Sequence, residues 1–477
     1  MRKEIIIKHL GFVLLLNGVF MFIAAMISVY LQEAAFTPLL YSSLICGIFG
    51  VFPLIFVERT ENITFSEGLS IVVFGWLLTC IAGMLPYIMW GGEFTIINAW
   101  FESVSGFTTT GSTILNDIEA LPKGLLFWRS STHWIGGIGV IIFVLLILPQ
   151  AKNSRINIYH SEISSLSKMN FRYRARKIVR ILAMVYVSLT VVETIILCCF
   201  GMSVFDAINH SFATIATGGF STKNLSVASF DNLGIEITIM VFMILSGIHF
   251  GLLYGTVKLK KQNIFNSALV RAFIVVLLAG ILLIWLKLYL SGNYGVWQSL
   301  RFASFQVISL GTTTGFATED TANWPIFTQI ILIYFTIQCA MTGSTSGGLK
   351  FDRVYIFFKS VGKQVRILKH PQGVFVTKMG DRTIDETLEQ QTLVFVVLYV
   401  FIFFFTTLIL ASLGIDGMTS FSASIATLGN VGPGFSQVSS LGNFAGLPDL
   451  GKFVLTINMF FGRLEIFNIL ALIMIKK

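Results

Sequence analysis

Charge is what this chain most lacks. Asp, Glu, Lys and Arg make up only 12% of its 477 residues, where a soluble protein of this length carries about 25%. Against 55% AVILMFWYC residues and a mean hydropathy of +0.81, this shortage excludes a soluble domain with a membrane anchor and places most of the chain in lipid. Cysteine is sparse too. Cys46, Cys80, Cys198, Cys199 and Cys339 all lie in apolar stretches, without the paired spacing of a metal site, and read as packing residues. The six histidines, His9, His133, His160, His210, His249 and His370, show no metal spacing either. No Ser/His/Asp set converges on an active site, and no Rossmann unit is present, so no enzyme and no intrinsic nucleotide site is expected. A signal peptide is not evident: the apolar run Leu10 to Leu31 suffices to cross a bilayer at about 1.5 Å per residue and lacks a small-residue cleavage site.

What is present is a succession of apolar segments. Ten are long enough to cross as helices: 10–31, 38–57, 68–90, 124–149, 178–200, 235–257, 268–290, 326–348, 392–413 and 453–475. A helix satisfies its own backbone in lipid. The net charge of +9 sits between these segments, which points to membrane orientation and not to nucleic-acid binding. Segment 150–177 is strongly basic with Glu162 its one acid, segment 349–391 adds Lys350, Arg353, Lys359, Lys363 and Arg366, and the chain ends in Lys476-Lys477. The opposite loops carry Glu33, Glu93, Asp117, Glu119, Glu319 and Asp416. Both termini are therefore expected on the cytoplasmic side.

Four further stretches, 96–113, 204–222, 297–318 and 418–436, are too short to cross and end in Thr and Gly. Each falls between two spans on the outer side. A re-entrant helix with an extended return fits that length, and such backbone survives at membrane depth only inside protein or against water. The expected fold is thus an all-α polytopic membrane protein of ten transmembrane helices. Eight of them form four span–half-helix–span repeats around a pseudo-fourfold pore, divided as 61–160, 161–262, 263–370 and 371–477 after a two-helix extension at 1–60.

The returns read SGFTTTGST (105–113), ATIATGGFST (213–222), SLGTTTGFAT (309–318) and ATLGNVGPGF (426–435), with pivots Gly111, Gly219, Gly315 and Gly432. Stripping water from a metal cation requires a ring of oxygens, and extended backbone supplies carbonyls for it. Glycine lets the chain adopt the needed angles without a Cβ in the way. The carbonyl end of each half-helix adds partial negative charge. The expected ion-binding residues are Thr110, Gly111, Gly218, Gly219, Thr314, Gly315, Val431 and Gly432.

Two features lie beneath these loops. CAMTGSTSGGLK (339–350) interrupts the eighth span with Gly343, Gly347 and Gly348, at about 1 kcal/mol of helix propensity per glycine. Its likeness to a phosphate-binding loop is superficial, because Leu349 follows Gly348 and no strand precedes it. Arg463 lies within the last span, where an arginine costs about 2.5–3.5 kcal/mol on insertion scales, so a wet cavity or a partner is expected. Glu465 is two residues on and poorly placed to be an intrahelical partner.

SGFTTTGST, HSFATIATGGFST (210–222), LGNVGPGF and NMFFGRLEIF (458–467) resemble the TrkH/TrkG/KtrB superfamily of K⁺ transporters, over essentially the whole chain, with the two extra N-terminal spans of its TrkH branch. The resemblance implies K⁺ as the transported ion, with K⁺ selectivity from glycine at all four pivots and no bound cofactor. It implies a gate made of Gly343, Ser344, Thr345, Ser346, Gly347, Gly348, Lys350 and Arg463. It also implies a homodimer in the cell inner membrane that binds a cytoplasmic nucleotide-binding ring of the TrkA/KtrA kind. Segments 150–177 and 349–391 are candidate docking surfaces for that ring. One departure is His249, where the pattern leads us to expect asparagine. The rival reading is an ion-coupled secondary transporter of another small solute, which four repeats of like orientation disfavour. Channel-like flow and H⁺- or Na⁺-coupled uptake both fit the sequence.

Overall fold

Residues 2–57, 64–147, 175–380 and 382–475 are described by a computed structural model. Most of the candidate docking loop, 150–174, and the terminal Lys476-Lys477 lie outside them. An N-terminal hairpin packs α1 (Lys3–Tyr30) on α2 (Phe36–Phe56). Their backbones meet so closely that a Cβ on Gly11 would lie 2.7 Å from the Gly50 carbonyl oxygen, the small-residue contact by which helices associate in lipid.

Four sets of helices follow. The first is α3 (Phe65–Gly83), α4 (Leu85–Trp90), α5 (Ile96–Phe107) and α6 (Lys123–Ile147). The second is α7 (Ala175–Cys199), α8 (Val204–Ile215), α9 (Leu233–Gly247) and α10 (Phe250–Val257). The third is α11 (Ala268–Leu290), α12 (Val296–Gly311), α13 (Ile326–Ile337) and α14 (Phe351–Lys369). The last is α15 (Glu386–Ser412), α16 (Gly417–Leu428), α17 (Asp449–Leu464) and α18 (Ile466–Ile475). The four sets pack in a cycle through their short helices, α5, α8, α12 and α16. α6 contacts α8, α9 contacts α12, α13 contacts α16, and α17 returns to α5.

The polarity is inside out relative to a soluble protein. Phe401, Phe404, Phe405 and Leu408 of α15 face outward, while Ser, Thr, Asn and Glu residues such as Ser424, Thr427, Asn458 and Glu102 are buried. Among the described residues, six helices are long and apolar enough to cross a membrane, or eight if two bent pairs each count as one. The chain is a multi-pass, mostly helical membrane protein.

Local chemistry sets the helix starts. Thr64 and Glu67 form a reciprocal capping box on α3, while Thr95, Ser203 and Asp416 cap α5, α8 and α16 by accepting from backbone N–H groups of their first turns. Each cap satisfies a donor that otherwise has no partner.

Three features depart from the expected continuous all-helical spans. Segment 235–257 is two helices bent by 106° at Ile248-His249, and 453–475 is two helices bent by 99° at Glu465, whose φ is 61°. A two-residue antiparallel hairpin, Lys378–Met379 with Arg382–Thr383, interrupts the all-α pattern. The first break has a direct cause. His249 Nδ1 accepts from the Gly251 N–H at 2.9 Å and caps α10, a task that an asparagine oxygen performs equally well. The unexpected histidine thus occupies a cap position. His249→Asn should leave the thermal midpoint in detergent within a degree or two of the parent, whereas His249→Ala should cost about 1 kcal/mol of stability; equal midpoints for both variants would remove the cap from the account.

Candidate ion pathway

The C-terminal ends of α5, α8, α12 and α16 share one backbone solution. The N–H groups of Thr110, Gly218, Thr314 and Val431 bond the carbonyls of Ser105, Ala213, Ser309 and Ala426 at 2.8–2.9 Å. Those of Thr109, Thr217, Thr313 and Asn430 bond the carbonyls of Gly106, Thr214, Leu310 and Thr427. This pair of bonds is a Schellman motif, which needs a left-handed residue after the helix. That residue is Thr109 (φ 54°), Thr217 (φ 55°), Thr313 (φ 62°) or Asn430 (φ 52°). Glycine usually takes this place. A β-branched residue there costs on the order of 1–3 kcal/mol and persists only where its surroundings hold it.

Two residues further on come the pivots, again left-handed, at φ 83°, 80°, 81° and 100° for Gly111, Gly219, Gly315 and Gly432. Each abuts a carbonyl of the neighbouring loop. A Cβ on Gly111 would lie 2.0 Å from the Gly218 oxygen, and one on Gly219 2.1 Å from that of Thr314. One on Gly315 would lie 2.2 Å from the Val431 oxygen, and one on Gly432 2.5 Å from that of Thr110. The cycle closes, bringing together all eight residues expected to bind the ion.

Hydrogen bonds stitch neighbouring loops. Ser112 Oγ donates to the Gly432 carbonyl at 3.0 Å, and Asn430 Nδ2 to Thr110 Oγ1 at 2.9 Å. Ala228 N–H donates to the Ala317 carbonyl at 3.2 Å, and Ser440 Oγ to that of Glu319 at 2.9 Å. Behind the second loop, His133 stacks on Phe220 at 4.0 Å and fills the space beside Gly218, where a Cβ would lie 1.7 Å from its Nδ1. A cavity of about 200 Å³, lined by all four pivots together with Arg129 and Lys223, opens on one side of the ring. At its rim Asn224 donates to Asp117 at 2.8 Å, which holds that carboxyl below its ordinary pKa.

The interrupted span lies against the helix ends of the same loops. After α13 the chain runs without helix from Gln338 to Lys350. Its backbone is satisfied by neighbours: Met341 N–H donates to the Gly247 carbonyl, Gly348 N–H to that of Gly462, and Phe250 N–H to that of Gly343, each at 3.1 Å. Thr345 Oγ1 donates to the Ile215 carbonyl at 2.9 Å, and a Cβ on Gly347 would strike Asn430 Oδ1 at 2.2 Å. Ser344 and Ser346 hydroxyls meet at 3.0 Å, and Lys350 Nζ reaches the Ser346 carbonyl. Arg463 donates to the Thr345 carbonyl and, at 2.8 Å, to that of Gly136. Its partners are thus carbonyls, while Glu465 pairs with Arg353 at 2.6 Å.

Sequence reasoning missed Thr109, Thr217, Thr313 and Asn430, although their shared place two residues before the pivots was visible in the aligned loops. It gave no role at these loops to His133 or Gly136, which arrive from α6.

The family model for TrkH, a cation transport protein, matches residues 41–477. The Trk system potassium uptake protein TrkH of Salmonella typhimurium is 37% identical over 410 residues, 85% of this chain and 84% of that protein. Its namesake in Escherichia coli K12 is 34% identical over 481 residues, 99% of this chain and 98% of that one. The crystal structure of the potassium transporter TrkH from Vibrio parahaemolyticus matches with a TM-score of 0.89 at 31% identity, covering 99% of this chain and 98% of that chain.

The strain at the loops is testable without flux. The buried Thr313 hydroxyl has no hydrogen-bond partner among the described residues, so Thr313→Gly relieves the left-handed backbone and loses only packing. Its thermal midpoint should match or exceed the parent's. Gly315→Ala should lower the midpoint, because its Cβ meets the Val431 carbonyl. The reverse ranking would count against the closed cycle.

Proposed function

The chain belongs to the TrkH family of cation transport proteins, and on that premise we propose that it takes up K⁺ across the cell inner membrane through the ring of four loops. It is a transporter, not an enzyme. The observation that carries the reading is the closed cycle in which each pivot glycine abuts a carbonyl of the next loop, facing a cavity that all four pivots line. Backbone oxygens gathered in this way replace the hydration shell of a cation. The relatives named as potassium uptake proteins support K⁺ as that cation.

Ten crossings are reached by adding α6 and the interrupted α13 segment to the six long helices and two bent pairs, grouped as the N-terminal extension and four repeats. The basic segments support cytoplasmic termini. The gate consists of loop 343–348 with Lys350 and Arg463. Its contacts with Ile215 and Asn430 at the helix ends support a position on the ion's route. A fixed positive charge there raises the barrier for K⁺, since Coulomb energy grows as the local dielectric falls. A homodimer and a cytoplasmic nucleotide-binding ring complete the proposal. α14 supports the docking role with exposed Lys359, Arg366 and Lys369.

Uptake into vesicles holding equal amounts of folded protein tests both parts. Gly111→Ser should lower the K⁺/Na⁺ ratio, because a side chain enters where the Gly218 carbonyl must approach; an unchanged ratio in a folded variant would reject the ring as the filter. Arg463→Gln should raise K⁺ flux and weaken its dependence on the cytoplasmic partner while sparing the ratio. Flux at the parent level with a collapsed thermal midpoint would make Arg463 a structural tie.

A further inference from the structure

Behind the ring the four repeats differ in chemistry. Nine residues before the pivots stand Glu102, His210, Gln306 and Ala423. Glu102 accepts from Thr113 Oγ1 and from the Ile114 N–H, each at 3.0 Å. His210 Nε2 meets Ser221 Oγ at 3.0 Å, and Gln306 Nε2 donates to the Glu319 carbonyl at 3.1 Å. The first repeat therefore holds its return strand with a carboxylate, and that carboxylate is paired. Arg129 of α6 donates from Nε to Glu102 Oε1 at 2.6 Å and from Nη1 to the Ser221 carbonyl at 2.9 Å. Its guanidinium carbon lies 3.5 Å from the centre of the Phe220 ring, next to Gly219. Arg129 is 2% exposed and Glu102 fully buried.

Thr113 and Ser221 stand at the same place, two residues past their pivots. One ion pair therefore grips equivalent points of two adjacent loops, whereas the stitches named above for the other junctions are neutral. Stability is a poor reason for this arrangement, because a buried ion pair is often no more stable than an apolar replacement of the same shape; its best-attested use is to fix one geometry among several. Arginine suits that use, since its planar fork addresses two acceptors in set directions.

We propose that Glu102 and Arg129 are positioning residues for ion discrimination, holding the first and second loops at the separation that fits K⁺. The proposal rests on the reading of the loops as the filter. It differs from a purely electrostatic role, in which the charge of each residue acts on ions in the cavity that Arg129 lines.

The test uses the full chain in vesicles, with Glu102→Gln, Arg129→Gln, the double variant, Arg129→Lys and, as a separate arm, Gly111→Ser. Three quantities are read: the K⁺/Na⁺ uptake ratio, the K⁺ concentration for half-maximal uptake, and the thermal midpoint. Positioning predicts that the ratio falls about tenfold, the scale of one charged hydrogen bond, in both single variants and equally in the double. Arg129→Lys should show the same fall, because lysine keeps the charge and loses the fork. Half-saturation should rise in Glu102→Gln, where an uncompensated Arg129 repels K⁺, fall in Arg129→Gln, and return to the parent value in the double. If the single variants do not insert, the double variant, which buries no unpaired charge, decides. A ratio restored in the double would show that the pair acts through charge alone. A parental ratio with a lowered midpoint would leave a structural role, and either result overturns the proposal. If Gly111→Ser changes the ratio while the ion-pair variants do not, the filter reading stands and this proposal falls. If folded Gly111→Ser also leaves the ratio unchanged, the filter reading itself is lost.

Discussion

The contact between each pivot glycine and the carbonyl before the next pivot is the constraint on which the rest of the structure depends. The Cβ-to-oxygen separations of 2.0–2.5 Å that any side chain would create admit hydrogen only. Four such contacts in a cycle fix the mutual approach of the loops, and hence the places of α5, α8, α12 and α16 behind them. The helices around them bury this non-helical backbone, and buried polar groups without partners cost several kcal/mol each. The stitches from Ser112, Asn430, Ala228 and Ser440 are the visible form of that requirement.

The constraint reaches backward into the helix ends. A Schellman closure turns each chain sharply enough to enter the ring two residues later, and it does so at threonine in three repeats and asparagine in the fourth. Thr109 and Thr313 hold left-handed backbone while burying hydroxyls with no hydrogen-bond partner among the described residues. Such strain is a mark of a site whose geometry is held by its surroundings. Here the surroundings are specific: Thr132 against Gly106, His133 against Gly218, and the Phe107 carbonyl against Gly136.

Much of this was legible in the sequence, for physical reasons. Apolar runs, basic loops and half-length segments ending in Thr and Gly are local signals, and they marked the long helices, the short ones and the four pivots. What was not legible depended on distant partners or on single residues that break a helix. The bend at Ile248-His249 hides within a segment apolar enough overall to read as one span, because a histidine cap differs little in hydropathy terms from a tolerated polar residue. The bend at Glu465 comes from a left-handed glutamate whose carboxylate is engaged by Arg353, more than a hundred positions earlier in the chain. That pairing also answers where Arg463 finds its partners, which are backbone oxygens and not the nearby acid. The Arg129–Glu102 pair was equally hidden, since neither residue belongs to a recognisable motif.

The four loops belong to one continuous polypeptide, and this has a consequence for its heredity. In an assembly of four identical subunits, a codon change alters every quadrant at once. An arginine at the position of Arg463 would then appear four times around one axis, with mutual repulsion amplified by the low dielectric. Fusion into a single chain lets one quadrant carry the arginine, another the glycine-rich interruption after Ile337, and a third the Glu102 carboxylate. Mutation can therefore explore one loop while the remaining three preserve the closed cycle of contacts, a freedom closed to a ring assembled from copies.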